Sequence, residues 1–446
     1  MASTRLTRTF TTPTNNKIWT LSFWVKRGSL GASQWVINTD GGNQEDRMHF
    51  NPEDRLNYYE QDSGGGTLAN FMPTAQLRDT NGWYHVVLSR DSTQATASDR
   101  LKMYYNGELQ TVFTANTYPS QNSSNRLNTA VEHEIGARNS SSYFDGSMSH
   151  IHFIDGTAYD ASAFGETDTT TGEWKINTSP SVTYGNNGFF ILKNGNSVTD
   201  QSGNSNNFTV GGGTLTNTED CPSNVFPTIN PLTYSTTKWN LEYGNLRTNG
   251  LASGESAGYR SVYGTLGASS GKYYFEMKVT RTYSVDPNFI FVGIVDAEQM
   301  EYAGDNGNFV NKSRAYGYKG SDGSKENGGV NTSYGNSFTT NDIIGCAFDL
   351  DNHKIYWSKN GTWQNSGDPT SGATGTGSAF DLATGYTYLP AVCHFYDDDR
   401  IELNFGNGYF GTTAVSSAGT NASGNGIFEY DVPTGYTALS TKGLNL

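Results

Sequence analysis

The chain has 446 residues, more than one ordinary hydrophobic core accommodates, and the expectation is two to three domains of roughly 150 residues each. Its 29 Lys and Arg against 43 Asp and Glu leave a formal charge of -14, which repels a phosphate backbone and speaks against nucleic-acid binding. No run approaches the ~18 apolar residues that cross a bilayer, and the opening MASTRLTRTF lacks a signal-peptide core, so neither membrane insertion nor export is expected.

The 52 Gly, with abundant Ser, Thr and Asn, predict many turns between short strands, while 27 Tyr, 23 Phe and 8 Trp supply large core side chains. No sustained heptad or amphipathic stripe is present, and AEQMEYAG (297–304) is the best short-helix candidate. The fold class expected is all-β.

In chain order, WTLSFWVKR (19–27) alternates Trp19, Leu21, Phe23 and Val25 with Thr20, Ser22 and Trp24, which marks a strand with one face inward. Trp24 on the opposite face predicts that this strand is covered on both sides. GWYHVVLSRD (82–91), LKMYYNGEL (101–109) and HEIGARNSSSYFDGSMSHIHFIDG (133–156) continue a sandwich over 1–176. Residues 177–236 are polar and punctuated by Gly, Asn and Pro, and read as a linker with one extra strand in NGFFILKNG (187–195). A second strand-rich block follows over 237–412, with GKYYFEMKV (271–279), NFIFVGIVD (288–296), NDIIGCAFDLDNHKIYWSKNG (341–361) and LPAVCHFYDDDRIELNFGN (389–407). Residues 413–446 read as an extended tail. Asn106-Gly107 and Asn360-Gly361 each predict a tight hairpin, because both residues tolerate the positive φ of a primed turn.

Cys221, Cys346 and Cys393 cannot all pair within the chain, and the latter two sit in apolar strand-like runs as small buried thiols. His133 and Glu134 of HEIGAR lack a second His four residues on, so no zincin helix is formed. GDNGNF (304–309) and GSDGSKENGG (320–329) do not lie between a strand and a helix and make no phosphate loop. Asp349 and Asp351 have the alternate spacing of a glycosidase carboxylate pair but fall at a strand-to-turn junction, where capping the turn is the simpler role. DDDR (397–400) reads as a solvated loop or a cation site. No catalytic constellation emerges, and the chain is not expected to be an enzyme.

The second block resembles a SPRY domain through SGKYYFEMKV, FVGIV and NDIIGCAFDLDNHKIYWSKNG followed by LPAVCHFYDDDRIELNFG. The resemblance implies an antiparallel sandwich that binds a partner through variable loops. The first block resembles a laminin-G or concanavalin-A-like lectin sandwich through WTLSFWVKR, WYHVVLSRD, LKMYYNGEL and FDG…IHFIDG. Members of that family often hold calcium with a loop aspartate and backbone carbonyls, and the resemblance makes Asp145 and Asp155 the nearest candidates. The segments 163–176, 199–209, 220–232 and 433–446 are similar to connecting and terminal sequences of tailed-bacteriophage structural proteins, especially marine ones.

These resemblances imply a virion protein: a fibre, spike or tail adhesin that binds a host-surface glycan or protein. A homo-oligomer, with a trimer as one form, and contacts to other virion proteins are expected with it. The alternatives are a capsid-decoration or tail structural protein and, less favoured, a polysaccharide depolymerase. Candidate ligand-binding residues are rings set among adaptable polar groups: Tyr302, Asp305, Tyr316, Tyr318 and Tyr334 in 301–337, and Tyr58, Tyr59 and Asp62 in 48–66. Each of these tyrosines either meets a sugar face or anchors its own loop.

Overall fold

The computed structural model describes residues 3–40, 44–193, 198–233, 239–250, 258–282, 289–300, 307–396 and 399–445. The chain divides into two units, 1–217 and 218–446, each an antiparallel β-sandwich.

Unit 1 contains strands β1 (Arg5–Thr9), β2 (Ile18–Arg27), β3 (Gln34–Asp40), β4 (Glu45–Phe50), β5 (Leu56–Gln61), β6 (Thr67–Pro73), β7 (Tyr84–Asp91) and β8 (Leu101–Tyr105). They are followed by β9 (Glu108–Leu109), β10 (Phe113–Thr117), β11 (Glu132–Ile135), β12 (Gly146–Asp155), β13 (Gly165–Thr167), β14 (Trp174–Ile176), β15 (Phe189–Ile191) and β16 (Thr209–Gly212). One sheet has the order β10-β6-β5-β4-β3-β11-β1-β16 and the other β15-β12-β2-β7-β8-β9. Between them lies a core that includes Trp19, Leu21, Phe23 and Val25 of β2, Met48 and Phe50 of β4, and Phe153 of β12. Trp24 points out of this core yet is only 5% exposed, as its coverage on both faces requires. It stacks on His85, which stacks in turn on Trp174 from the segment that crosses this sheet.

Unit 2 builds a long sheet in which Lys272–Arg281 lies between Arg400–Asn404 and Ile343–Asp349, and a second sheet centred on Tyr388–His394 and Phe291–Asp296. Phe275, Met277, Val279, Ile344, Phe348 and Trp357 fill the space between them. Tyr274 and Glu276 face the other way, under Phe428, Val432 and Tyr436. The expected tail, 413–446, is therefore not extended: 413–445 cover the outer face of this sheet, and Thr437–Ala438 pairs in parallel with Tyr273 and Tyr274.

The expected linker is also absorbed. β15 pairs with β12 and β16 with β1 in unit 1, while Phe226 and Ile229 are buried in unit 2. Both predicted hairpins form, with φ of 46° and 83° at Asn106-Gly107 and 48° and 78° at Asn360-Gly361. Each glycine is needed for space as well as for φ: a Cβ on Gly107 would lie 2.4 Å from the Trp174 ring, and one on Gly361 2.6 Å from that of Tyr430. The expected helix reduces to one 3₁₀ turn, Ala297–Gln299, capped by the Asp296 carboxylate; 301–304 lies outside the described residues. Among the described residues no helix is long and apolar enough to cross a membrane.

Candidate functional site

The eight-stranded sheet of unit 1 turns its inner residues to the core and its alternate residues outward. Antiparallel register aligns the outward side chains in a row that visits every strand: Thr209, Thr7, Glu134, Asn38, Arg47, Tyr59, Asn70 and Thr117. Seven strand spacings make this row about 34 Å long. A second, shorter row holds Trp35, His49 and Asn57. Trp35 and Asn38 share the outer face although three positions apart, because the register shifts between Trp35 and Ile37 and inserts one residue into β3.

The rings and charges of this face interlock. Trp35 stacks on His49 with centroids 4.6 Å apart, the Arg138 guanidinium lies 5.6 Å from the Trp35 ring, and that of Arg47 lies 4.3 Å from the Tyr59 ring. Both arginines donate to one oxygen of Glu45, Arg47 at 2.6 Å and Arg138 at 3.0 Å. Burial, then the nearby Arg47 and Arg138, push His49 down to about 3, so its ring is neutral.

Polar atoms without a protein partner concentrate here. Trp35 Nε1, both amide atoms of Asn38, Glu45 Oε1, Arg47 Nε, His49 Nδ1 and Asn57 Oδ1 are buried and form no hydrogen bond. Asn38 and Glu45 are each 1% exposed and Trp35 8%. Each such atom costs about 1–3 kcal/mol, so seven on one face of one sheet demand an explanation. The loop beside them is strained too, with left-handed backbone at Asn139, Ser140 and Ser142 (φ 47°, 58° and 48°), and it places Arg138 over Trp35.

Of the residues expected to bind ligand, Tyr59 lies on this face, its hydroxyl 2.8 Å from that of Thr67. Asp62 is at the neighbouring turn, where Oδ1 accepts from the backbone of Gly64 and Gly66. Tyr58 points the opposite way: it is fully buried, donates to Glu60 and accepts from Asn125, and so meets no ligand. Tyr316, Tyr318 and Tyr334 are likewise core residues, at 4%, 0% and 8% exposure. Tyr318 stacks on Trp357, Tyr334 accepts from the Trp357 amide, and Tyr316 accepts from that of Ala383. The polar residues around them in sequence occupy turns, while the rings alternate inward along Ala315–Lys319. Tyr302, Asp305, Asp397 and Asp398 lie outside the described residues.

The two calcium candidates do not share a site. Asp145 and Asp155 flank opposite ends of β12, about 30 Å apart along the strand. The Asp155 carboxylate is committed to the backbone amides of Thr14, Asn15 and Asn187 and to Asn128, all donors that take the place of a cation. Among the described residues no three His, Cys, Asp or Glu side chains gather to hold a metal.

Asp349 and Asp351 cap turns: the first accepts from the amides of Asp351 and Asn352, the second from that of Gly271. A closer carboxylate pair, Asp46 and Glu60, faces across β4 and β5 inside the core. Asp46 accepts from the amides of Arg126 and Leu127, and Glu60 pairs with Arg90 at 2.8 Å. Burial and then Glu60 raise the Asp46 carboxyl, but the pair staples a loop to the sandwich interior and opens to no substrate.

Two antiparallel sandwiches, one with a polar-aromatic sheet face, define a two-module binding protein. Residues 4–163 match the concanavalin A-like lectin/glucanases superfamily and residues 272–408 match the SPRY domain, so the chain carries one domain of each kind. Domains of both kinds commonly act as binding modules. Ran-binding protein 9 of Xenopus tropicalis is 33% identical over 133 residues, covering 27% of this chain and 22% of that protein. The Ran-binding proteins 9/10 homolog of Drosophila melanogaster is 32% identical over 132 residues, covering 27% of this chain and 12% of that protein. This chain thus spans about a fifth or less of the length of these relatives. Among solved structures, the SPRY domain of human HERC1 is 18% identical with a TM-score of 0.28, covering 37% of this chain and 91% of that one. The TRIM65 PSpry domain is 12% identical with a TM-score of 0.30, covering 40% and 88%.

Proposed function

We propose that the chain is a non-catalytic adhesin on the surface of a tailed-phage virion, where unit 1 binds host-surface glycan through its eight-stranded sheet and unit 2 contacts protein. The observation that carries the ligand site is the set of unpartnered buried polar atoms around Trp35, His49 and Tyr59 on a lectin-like sandwich. Aromatic rings take the apolar faces of sugars while amides and carboxylates take their hydroxyls. The virion reading rests on the likeness of the connecting segments to phage structural sequences. The SPRY unit supplies a second binding module, its partner a host protein or another virion protein.

Each site is expected to bind weakly, and many copies on one particle raise the effective concentration. The test is adsorption: soluble protein, alone and multimerised, is mixed with host cells before phage challenge, and its position on the particle is mapped by immunogold. A distal label and competition by the multimer support the reading. No competition in either form, with the label at an interlocked structural position, overturns it in favour of an assembly role.

A further inference from the structure

From the chemistry of the unpartnered atoms we infer that the sheet face of unit 1 selects a neutral, hydroxyl-rich polysaccharide over an acidic one, and that Asn38, fixed by the β3 bulge, is its specificity-determining residue. This rests on the proposed glycan-binding role and deepens it.

The side chains at issue are Trp35, Asn38, Glu45, His49, Asn57 and Tyr59. Three of their partnerless atoms are oxygens that need a donor: Asn38 Oδ1, Glu45 Oε1 and Asn57 Oδ1. A carboxylate or sulfate donates nothing, and it would set a negative charge against the free oxygen of Glu45. The arginines that would attract an anion are already bound to Glu45 through its other oxygen. Three further atoms, Trp35 Nε1, Asn38 Nδ2 and Arg47 Nε, need an acceptor. A hydroxyl group both donates and accepts, and a chain of sugar hydroxyls is the ligand that satisfies such a mixed set. His49, uncharged at neutral pH, adds no pull on an anion.

The rings set where the sugar lies. Trp35 on β3 and Tyr59 on β5 are two strand spacings apart across the sheet, about 10 Å, and one row apart along it, so a ligand that meets both rings crosses the strands on a diagonal. Asn38 shares strand β3 with Trp35 and shares a cross-strand row with Tyr59, through Arg47 of β4. Arg138 and Arg47 rest on the two rings, and swinging their long side chains aside exposes both ring faces and the atoms beneath. The β3 bulge brings Asn38 to the same face as Trp35; regular alternation would have turned it inward.

The experiment measures binding of the full chain, by calorimetry and affinity electrophoresis, to neutral polysaccharides (laminarin, mannan, dextran) and acidic ones (alginate, polygalacturonate). Two variants are compared with the natural sequence. Asn38→Leu replaces two unpartnered polar atoms with an apolar side chain of similar size, so unit 1 melts at a higher temperature while neutral-polysaccharide affinity falls at least tenfold. Trp35→Phe keeps the stack on His49 but removes the indole N–H, and affinity falls several-fold with little change in melting. Binding of acidic polysaccharides alone, or neutral binding that both variants leave unchanged, overturns the inference while the glycan-binding role stands. No binding to any polysaccharide removes that role and the inference together. Lower melting of Asn38→Leu, with affinity retained, shows Asn38 to be a structural residue.

Discussion

Tyr58 and Tyr59 are neighbours in sequence with opposite fates. Tyr58 completes a buried network with Glu60, Asn125 and Arg90, so Tyr58→Phe leaves the Asn125 amide without its acceptor, removes one of two donors to Glu60 Oε1, and costs about 1–3 kcal/mol. Ligand affinity is expected to stay constant. Tyr59→Ala reverses the pattern: stability in urea changes little, while glycan affinity drops about tenfold, roughly 1.4 kcal/mol. Urea titration and calorimetry on the two variants separate the roles. Sequence placed both tyrosines in one candidate group because composition names residue types, whereas strand parity decides which of two adjacent side chains meets solvent. The same parity sends Tyr316 and Tyr318 into the core.

Glu276 shows what a single carboxyl does beneath the C-terminal segment. It accepts from the amides of Glu429 and Tyr430 and from Asn404 and Tyr274, yet burial outweighs these donors and raises it to about 7 from an ordinary 4.5. A raised folded value means that the folded protein holds a proton the unfolded chain has released. The associated stability is full below about pH 4.5 and is lost as pH rises through about 7. Melting of unit 2 is expected to fall over this window, and Glu276→Gln, which cannot titrate, is expected to remove the Glu276 part of the slope. A slope unchanged in the variant would show that Glu276 is already ionised in the fold.

At the level of elements, the features legible in sequence are the local ones. The two Asn-Gly hairpins were readable because φ preference is set within two residues, and the alternation in 19–27 because one strand carries the whole signal. Gly107→Ala and Gly361→Ala test the added requirement for space: each forces positive φ on a Cβ that also meets a ring, and each is expected to cost more than about 1 kcal/mol in thermal or urea denaturation. Of the proposed ligand face only Tyr59 was legible. The residues of that face come a few at a time from β3, β4 and β5 and from the loop after β11, and QWVIN in β3 looks like continuous core until the bulge divides it. Polar stretches misled in the opposite direction: 177–236 and 413–446 look like linker and tail, but a few large apolar residues, such as Phe189, Phe208, Phe226, Phe428 and Tyr436, anchor them in the sandwiches.

For the whole molecule, acid response follows from how its histidines are used. Six of the seven, His49, His85, His133, His150, His152 and His394, are held below the ordinary imidazole range, in each case first by burial. His85 is held at about 3 and His133 and His150 at about 4. The unfolded chain protonates these rings near pH 6.5, so their contribution is complete above that value and is lost as pH falls toward 4. Each group removes about 1.4 kcal/mol per pH unit inside the window. Five of the six lie in unit 1 and only His394 in unit 2, so the first sandwich is expected to lose stability much more steeply on acidification. Asp46, whose buried carboxyl is raised, works in the opposite sense and offsets part of the slope. Glu276 adds the same opposing sense in unit 2 and widens the difference between the sandwiches. Hydrogen exchange at pH 7, 5.5 and 4.5, corrected for intrinsic rates, is expected to show protection vanishing from β7 and β12 while the Ile343–Asp349 strand stays protected. Loss of protection in the opposite order would mean that the buried rings of unit 1 are charged in the fold. The neutral His49 beside the ligand atoms would then lose its basis, since a charged ring there would draw acidic glycans to the face.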